Sequence, residues 1–402
     1  MLHNLFSIMP IFVVLFWVVV LLLDEKKNNS KRFLTFFLSI SVVNYFVHWL
    51  YFNHQYQLYT FFDSVWVFTS LVGYPLYYYY IRLLTKDVRV NLKWFWLVLP
   101  ALALALFSAI LYLLMSPREV DIFIQGIMYH KEGYAPPYPL LVKMQMMRLM
   151  LFKVVFVVQL SLSFYFGLKL IRNYDIEIRR FYSNLGGKDL IPIKWLLIFF
   201  VFASFVSLIS SILGKDYFVE NSWLLAIPSI THSLYLFGIG YFGYKQNFTV
   251  EEFQRDIDEA EKVKETTQTA APQELNPYEQ IKKRLLELLE NEEIFTNMDL
   301  RITDVSALLN TNRTYVSRII NDELKTNFSE LINRQRVNYT KKMLVDCSAD
   351  SYSLSQIAEM AGFSSNSSFY RIFKEKEGIS PGDFRKEYCR YKKEEAMYSD
   401  KM

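Results

Sequence analysis

Long apolar runs dominate the first 245 residues of the chain. The first run, residues 5–23, holds no charged side chain, and about 20 such residues suffice to cross the hydrocarbon core of a bilayer as a helix. A signal peptide is disfavoured, because no basic segment precedes the run and charged residues 24–27 follow it where a small-residue cleavage site would stand. Six more runs cover residues 33–52, 61–81, 94–115, 149–171, 195–213 and 223–244. The pattern predicts a seven-helix transmembrane domain over residues 1–245.

Lysine and arginine are shared unevenly between the loops that join these runs. Loops 24–32 and 82–93 hold four each and loop 172–194 holds five, whereas loop 53–60 holds none and loop 214–222 holds one. The long loop 116–148 holds four, diluted by its length and by acidic residues. Because basic loops stay in the cytoplasm, the pattern predicts that the N-terminus lies outside and the C-terminus inside the cell. Loop 116–148 is either a contact for an external signal or a plain connector.

Few ionisable side chains fall within the apolar runs. Lys153 and Lys169 lie near opposite ends of the fifth run and Asp63 lies near an edge of the third, so all three are interpreted as structural. His48 and His232 lie deeper. Each is either a histidine bonded to a neighbouring helix or a sensor of protons or of a ligand.

Motifs that carry catalysis do not occur in the sequence. There is no nucleophile–base pair, carboxylate dyad or phosphate loop, and the five histidines lack metal-ligand spacing. Gly238, Gly240 and Gly243 match a dinucleotide-binding pattern by letters, but they lie inside an apolar run and follow no strand. The sequence therefore predicts no enzyme activity, no catalytic residue, no cofactor and no metal site.

The composition changes after residue 245. Residues 246–300 hold 6 basic and 14 acidic side chains, whereas residues 301–393 hold 16 basic and 11 acidic ones. Residues 246–276 are predicted to form an acidic cytosolic linker, and a basic domain at the end of the chain suits nucleic acid. Residues 277–294 have the apolar spacing of an amphipathic helix. That helix is either the first of the C-terminal domain or a dimer seam.

Two segments of the basic region have the same pattern. Residues 302–309 and 354–361 are short amphipathic helices, residues 310–312 and 362–364 are tight turns, and residues 313–320 and 365–374 are second helices. This order is typical of a helix-turn-helix. In each second helix, hydroxyl, Asn and Arg side chains lie away from the apolar face, and such groups bind base edges and phosphates.

At these positions the chain resembles the DNA-binding domain of the AraC/XylS family of bacterial transcription regulators. The resemblance covers about a quarter of the chain, and its residues are Tyr315, Val316, Ser317, Arg318, Ile357, Ala358, Gly362, Phe363, Phe369, Arg371, Phe373, Lys374, Gly378, Pro381, Phe384 and Arg385. It implies an AraC-type double helix-turn-helix domain over residues 277–402. One departure is Lys325, where the family has a glycine that ends the first recognition helix. A side chain in a left-handed position costs roughly 1–2 kcal/mol, so this helix is expected to end differently.

The resemblance places the recognition helices at residues 312–322 and 365–377 and implies which side chains face the major groove. The candidate DNA-binding residues are Arg313, Thr314, Ser317, Arg318, Asn366, Ser367, Tyr370, Arg371 and Lys374. For each Arg, a phosphate contact or an intradomain salt bridge remains an alternative to base recognition. Residues 328–346 are predicted to form a rigid helix that spaces the motifs about 34 Å apart, with Arg334 and Arg336 solvated or facing phosphate.

The sequence as a whole predicts an all-α chain that combines a transmembrane domain with a DNA-binding domain. The predicted function is a membrane-bound one-component sensor in the bacterial inner (cytoplasmic) membrane that regulates transcription. Its expected partners are promoter DNA, the lipid bilayer, a second copy of the chain, an unknown signal ligand and RNA polymerase. The signal is expected to pass through the last span and the linker. The alternative is a transporter or other membrane protein with a regulatory DNA-binding tail.

Overall fold

The computed structural model describes residues 2–25, 28–213, 217–218, 222–246, 248, 250–265, 277–345 and 352–399. Throughout these residues the regular secondary structure is helical, apart from one isolated bridge between Tyr182 and Arg301. The predicted all-α class is therefore confirmed. The chain forms two compact units, one of Met1–Asn173 with Leu190–Glu252 and one of Tyr174–Asp189 with Phe253–Met402.

The first unit is built from helices that are long and apolar, apart from one of five residues, and the sixth of them continues into the second unit. They are α1 (Leu2–Leu23), α2 (Asn29–Phe52), α3 (Tyr56–Thr85), α4 (Leu99–Leu114), α5 (Pro117–Asp121), α6 (Leu140–Phe181), α7 (Ile191–Leu213) and α8 (Ser222–Lys245). Among the residues that the structure describes, six helical stretches are long and apolar enough to cross a membrane: His3–Leu23, Asn29–Phe52, Leu92–Leu114, Leu140–Phe181, Ile191–Leu213 and Trp223–Asp258. The remaining predicted span, residues 61–81, lies within α3, which is 30 residues long. It is less apolar than the other six because it carries Asp63 and a row of tyrosines.

Large apolar side chains cover the outside of the first unit. Phe12 is 64 % exposed, Phe61 76 % and Leu113 85 %. Soluble proteins rarely expose contiguous apolar surface on this scale, because its contact with water is unfavourable. Lipid tails would remove this cost. The surface is therefore consistent with a membrane-associated protein.

A buried ion pair lies between α3 and α6. Arg148 Nη2 is 2.6 Å from Asp63 Oδ2, and both side chains are fully buried. Tyr59 and Tyr112 each donate a hydrogen bond to the same carboxylate, at 2.9 and 3.0 Å. The interpretation of Asp63 as structural agrees with this pair, whereas the predicted loop 116–148 was wrong to include Arg148. In the structure α6 already begins at Leu140, which carries Arg148 inward to the carboxylate.

The second unit contains the end of the chain. Its helices after the membrane region are α9 (Val250–Glu265), α10 (Pro277–Glu290), α11 (Ile302–Leu308), α12 (Arg313–Arg318), α13 (Phe328–Leu344), α14 (Leu354–Met360), α15 (Asn366–Glu377) and α16 (Pro381–Ser399). Much of the predicted linker is the helix α9, and residues 266–276 lie outside the described residues. Leu285, Leu288 and Leu289 of α10 are at most 1 % exposed. This burial agrees with the interpretation of α10 as a helix of the C-terminal domain and leaves little surface of these leucines for a dimer seam.

Candidate nucleic-acid interface

Two helix pairs with the same turn geometry form the C-terminal domain. Between α11 and α12, Asn310 has a φ of 48°, and between α14 and α15, Gly362 has a φ of 82°. In both turns the next amide N–H donates to the carbonyl five residues earlier, from Thr311 to Ser306 and from Phe363 to Ala358, at 3.0 and 2.9 Å. Asn and Gly are the residues that adopt this left-handed conformation at least cost. The predicted helix-turn-helix geometry thus occurs twice in the chain.

Each pair closes over its own apolar core. In the first, Val305, Val316 and Ile319 are fully buried. In the second, the side chains pack into one cluster that comprises Val337, Leu344, Ile357, Ala358, Ala361, Phe363, Phe369 and Phe373. Because these residues recur every three or four positions, one face of each recognition helix is fixed to the domain and the opposite face is left for a ligand.

Side-chain caps set the start of both recognition helices. Asn312 Oδ1 accepts a hydrogen bond from the Tyr315 amide at 3.0 Å, and Ser365 Oγ accepts one from the Ser368 amide at 3.2 Å. Asn and Ser are favoured at this position because their oxygen satisfies an amide that the first helical turn leaves without a partner. The beginnings of the predicted recognition helices, at residues 312 and 365, coincide with these caps.

The two recognition helices end differently. The second ends at Gly378, which has a φ of 80° and is a conventional left-handed cap. The first leaves α-helical geometry after Arg318, continues as the π-helical turn Ile319–Glu323, and reaches Lys325 at a φ of 51°. Lys325 therefore occupies the strained conformation that a glycine would adopt without cost. The expectation that the side chain of Lys325 would make this helix end differently is therefore not met at this position, where the left-handed conformation is kept.

Most of the candidate DNA-binding side chains are on the surface. The exposed ones are Thr314, Arg318, Asn366, Ser367, Tyr370, Arg371 and Lys374, while Arg313 and Ser317 are half-buried. All nine lie on α12 or α15, away from the buried apolar face of each helix. The arrangement offers two polar, partly basic helix faces, and such faces suit hydrogen bonds to base edges and phosphates.

Arg318 and Arg371 each lie near a carboxylate four residues further along the chain. Arg318 Nε lies 4.0 Å from Asp322 and Arg371 Nη1 lies 3.6 Å from Glu375, and both pairs are more than half exposed. Exposed pairs at this spacing contribute only about 0.3–0.5 kcal/mol. Each guanidinium can therefore leave its carboxylate for a phosphate or a guanine at little cost.

The helix α13 joins the two motifs. One of its basic residues, Arg336, is buried instead of exposed. Arg336 is 1 % exposed, so the interpretation of this residue as solvated or phosphate-facing was wrong. Its Nε donates to the Phe295 carbonyl at 2.8 Å and its Nη2 to the Asn297 carbonyl at 2.7 Å. Burial lowers the pKa of Arg336 to about 10, and the guanidinium remains charged at neutral pH. Arg336 thus ties α13 to the turn before α11, whereas Arg334 is exposed.

A segment between two candidate membrane helices contributes to this domain. Residues 174–189, here called the junction segment, comprise the end of α6 and the connection to α7. Its Ser183 is 1 % exposed, and its amide and hydroxyl both donate to the Leu300 carbonyl, at 3.2 and 2.6 Å. Ser329 donates to the Ser183 carbonyl at 3.2 Å, and Arg336 Nη2 donates to the Ser183 hydroxyl at 3.3 Å. Ser183 is therefore part of the interior of the domain.

The junction segment also reaches both recognition helices. The Arg313 guanidinium lies over the Phe181 ring, 5.7 Å from its centre. Ser364 Oγ, one residue before the cap of α15, donates to Asn184 Oδ1 at 2.8 Å. A hollow of about 270 Å³ lies beside this bond, and residues of both the segment and α15 line it, among them Arg371.

Sequence reasoning did not find the junction segment, although a signal was present. Tyr174, Ile178 and Phe181 continue an apolar stripe at helical spacing beyond the predicted fifth span, and each is at most 3 % exposed. A membrane helix has no need of such a stripe once it has left the bilayer. The stripe indicates that the end of α6 packs against protein.

Comparison with known proteins agrees with the geometry of the domain. The helix-turn-helix domain family matches residues 305–387. An uncharacterized HTH-type transcriptional regulator of Bacillus subtilis (strain 168), YfiF, is 34 % identical over 89 residues, which are 22 % of this chain and 27 % of that protein. A second from the same organism, YisR, is 34 % identical over 85 residues, 21 % of this chain and 29 % of that protein. A third, YtdP, is 26 % identical over 110 residues, 27 % of this chain and 14 % of that protein.

This chain therefore spans less than a third of the length of these relatives. No solved structure gives a significant match to it. The residues matched by the family include both helix-turn-helix motifs, with the repeated turns and caps described above. The C-terminal region of the chain is thus an AraC-type helix-turn-helix domain.

Proposed function

We propose that this protein is a membrane-bound, sequence-specific transcription regulator, in which a membrane domain receives a signal and the helix-turn-helix domain binds promoter DNA. The loop charges support a cytoplasmic C-terminus, an external N-terminus and a location in the inner membrane. Two recognition helices per chain suit binding to successive major-groove turns. We further propose that the regulator acts as a homodimer and contacts RNA polymerase at the promoter.

The observation that carries this proposal is the position of the junction segment. It follows a candidate membrane helix directly in the chain, and yet Ser183 lies in the interior of the DNA-binding domain. A passive anchor would need only one flexible connection to the domain. Here the chain enters the domain twice, through the end of α6 and through α9. This double connection supports a sensor whose membrane helices act on the recognition helices.

The contacts of the segment suggest how a signal would act. Phe181 lies against Arg313 of the first recognition helix, and Asn184 is bonded to Ser364 before the second. A shift or rotation of α6 would change both contacts. We propose that these two contacts restrain the recognition helices without signal and release them when the membrane helices move. The route through the last span and α9 remains a second path for the same signal.

Selection of DNA by the full-length protein in lipid nanodiscs tests the proposed function. A pool of random duplexes is expected to become enriched in a common sequence, and Arg318→Ala and Arg371→Ala are expected to weaken that enrichment. Arg284→Ala is the matched control, because Arg284 is 50 % exposed and lies on α10, outside both motifs. If the unaltered protein enriched a common sequence no more strongly than the double variant Arg318→Ala/Arg371→Ala does, sequence-specific binding would be contradicted.

The buried pair of Asp63 and Arg148 is an observation that favours the alternative function, a transporter with a regulatory tail. Paired charges inside membrane proteins often lie on the pathways of substrates or ions. Uptake of candidate solutes by vesicles that contain the purified protein separates the two functions. Uptake of a solute by these vesicles that exceeds uptake by protein-free vesicles would support the alternative.

A further inference from the structure

We propose that a cavity within the first unit binds a small amphipathic organic anion, with a carboxylate as its charged group and an elongated apolar body. We also propose that this molecule is the signal. The second statement rests on the proposed function, whereas the binding itself does not.

The cavity is narrow and elongated. Its volume is about 210 Å³, and residues of α1, α2, α3, α6, α7 and α8 line it. The lining extends from Phe200 to Ser211 along α7 and from Leu225 to Leu236 along α8. Each of these stretches corresponds to about 16 Å of helix rise. A drug-sized ligand needs roughly 300–1,000 Å³, so the cavity suits a smaller, extended molecule.

The lining is graded in polarity from one end to the other. At the end where α6 begins and α7 finishes, Lys153 and Ser211 face the cavity. At the opposite end the walls include Phe37, Phe200 and Leu236, and the polar side chains there, Ser204 and Tyr235, are uncharged. The polar end is the one that the loop charges predict to face outside. A molecule with one charged end and an apolar body matches this gradient.

Lys153 indicates that the ligand carries a negative charge. Its Nζ donates to the Ser211 carbonyl at 3.2 Å, and an ammonium has two further donors to offer. Within the described residues it forms no ion pair with a carboxylate, and no Asp or Glu lines the cavity. Lys153 lies near the outer end of its predicted span and is half-buried, so its charge is tolerated there without a carboxylate partner. A bound carboxylate would neutralise this charge, whereas an uncharged ligand would leave it uncompensated.

The middle of the cavity offers further donors. Asn44 Oδ1 accepts hydrogen bonds from Thr69 at 3.3 Å and from Ser70 at 2.6 Å. Its carbonyl oxygen is thereby satisfied, and its amide N–H groups make no bond within the described part of the chain. The amide can therefore donate to an oxygen of the ligand. This excess of donors over acceptors again favours an anion.

The two histidines of the cavity are held by neighbouring groups. His232 lies 2.9 Å from the Ser207 hydroxyl through Nε2 and 2.7 Å from the Pro228 carbonyl through Nδ1. His48 Nε2 accepts a hydrogen bond from Trp66 at 3.0 Å. These bonds match the interpretation of both residues as histidines bonded to a neighbouring helix. Their role here is to form the wall, and the proposed recognition of the anion falls to Lys153 and Asn44.

Binding of octanoate to the full-length protein in nanodiscs tests the inference, with 1-octanol as the uncharged probe of similar length. The fluorescence of the seven tryptophans, of which Trp66 lines the cavity, reports binding, and empty nanodiscs correct for partition into lipid. Octanoate is expected to bind at least ten times more tightly than octanol. Lys153→Gln is expected to remove that preference. Lys169→Gln on the exposed face of the same helix is expected to retain it.

A second variant separates loss of binding from loss of folding. Gly73 lines the cavity, and a Cβ added there would meet nothing within 4 Å. Leucine favours helix over glycine, so Gly73→Leu should fill the cavity without destabilising α3. It is expected to abolish octanoate binding and leave the melting temperature unchanged or raised. Equal binding of octanoate and octanol, or unchanged binding by Gly73→Leu, would overturn the inference. Enrichment of DNA by the same sample is measured separately, and its result tests the proposed function.

Discussion

Ser364 Oγ donates a hydrogen bond to Asn184 Oδ1 at 2.8 Å. This bond joins the junction segment, which lies between two candidate membrane helices, to the residue that precedes the cap of the second recognition helix. It connects groups that are 180 positions apart in the chain. Because Ser364 directly precedes the cap residue Ser365, a movement of Asn184 would shift the start of α15.

Removal of this bond is expected to raise DNA affinity in the absence of signal. A hydrogen bond of this kind contributes about 0.5–1.5 kcal/mol, so Asn184→Ala should increase affinity roughly two- to tenfold. Ser364→Ala should have a similar effect, and the double variant should add little to either. Titration of a selected duplex with the full-length protein measures all three affinities. Effects that simply add would show that the two residues do not act on each other.

Arg318 and Arg371 are each expected to recognise a base pair and not only to contact phosphate. If each guanidinium is bidentate to a guanine, its replacement by alanine costs about 1–3 kcal/mol and relaxes preference at one base pair. Binding curves on single-base variants of the selected duplex, measured at several salt concentrations, report both effects. An equal loss on all sequences, with a shallower dependence on salt, would assign the residue to phosphate contact instead.

Gly362 is expected to tolerate no side chain. A Cβ at this position would lie 2.5 Å from the Thr296 carbonyl oxygen and 2.8 Å from that of Phe295, both of which are backbone atoms. Gly362→Ala should therefore destabilise the C-terminal domain by more than the roughly 1–2 kcal/mol that a left-handed residue alone costs. Gly378→Ala is the matched control, because its φ is similar and its Cβ would meet nothing within 4 Å. Urea unfolding of both variants, followed by circular dichroism, should show the larger loss for Gly362.

The buried pair of Asp63 and Arg148 is expected to be needed for assembly of the membrane domain. Loss of one partner leaves an uncompensated charge, which costs about 3–5 kcal/mol. Asp63→Asn and Arg148→Met should therefore each lower the yield of folded protein in membranes, and the double variant should recover part of it. Thermal stability of the detergent-purified protein measures the effect. If the double variant proved less stable than both single variants, the two charges would not be compensating each other.

The local features of the domain could be predicted from the sequence, because short-range chemistry determines them. Asn312 and Ser365 have the side chains that cap helices, and Gly362 and Gly378 have the freedom that left-handed turns require. The apolar spacing of α12 and α15 predicted which faces would be buried. The exposure of Arg318 and Arg371 follows from the same spacing.

The features that could not be predicted depend on contacts between distant parts of the chain. Asp63 and Arg148 are 85 positions apart, and their pairing depends on where α6 begins. Ser183 carries no special sequence pattern, and its burial depends on Leu300, Ser329 and Arg336. Arg336 belongs to a helix with other basic residues that are exposed, so spacing alone could not separate it from them.

The proposed function requires that the same chain is inserted in the membrane and bound to particular DNA sequences at the same time. The most direct measurement is to crosslink protein to DNA in intact cells, isolate the membrane fraction, and sequence the DNA that is recovered with the full-length chain. The account predicts that this DNA shares a common sequence motif, and that Arg318→Ala/Arg371→Ala loses the motif while it remains in the membrane fraction. Recovery of the chain only from the soluble fraction, or DNA no different from that recovered with the double variant, would contradict it.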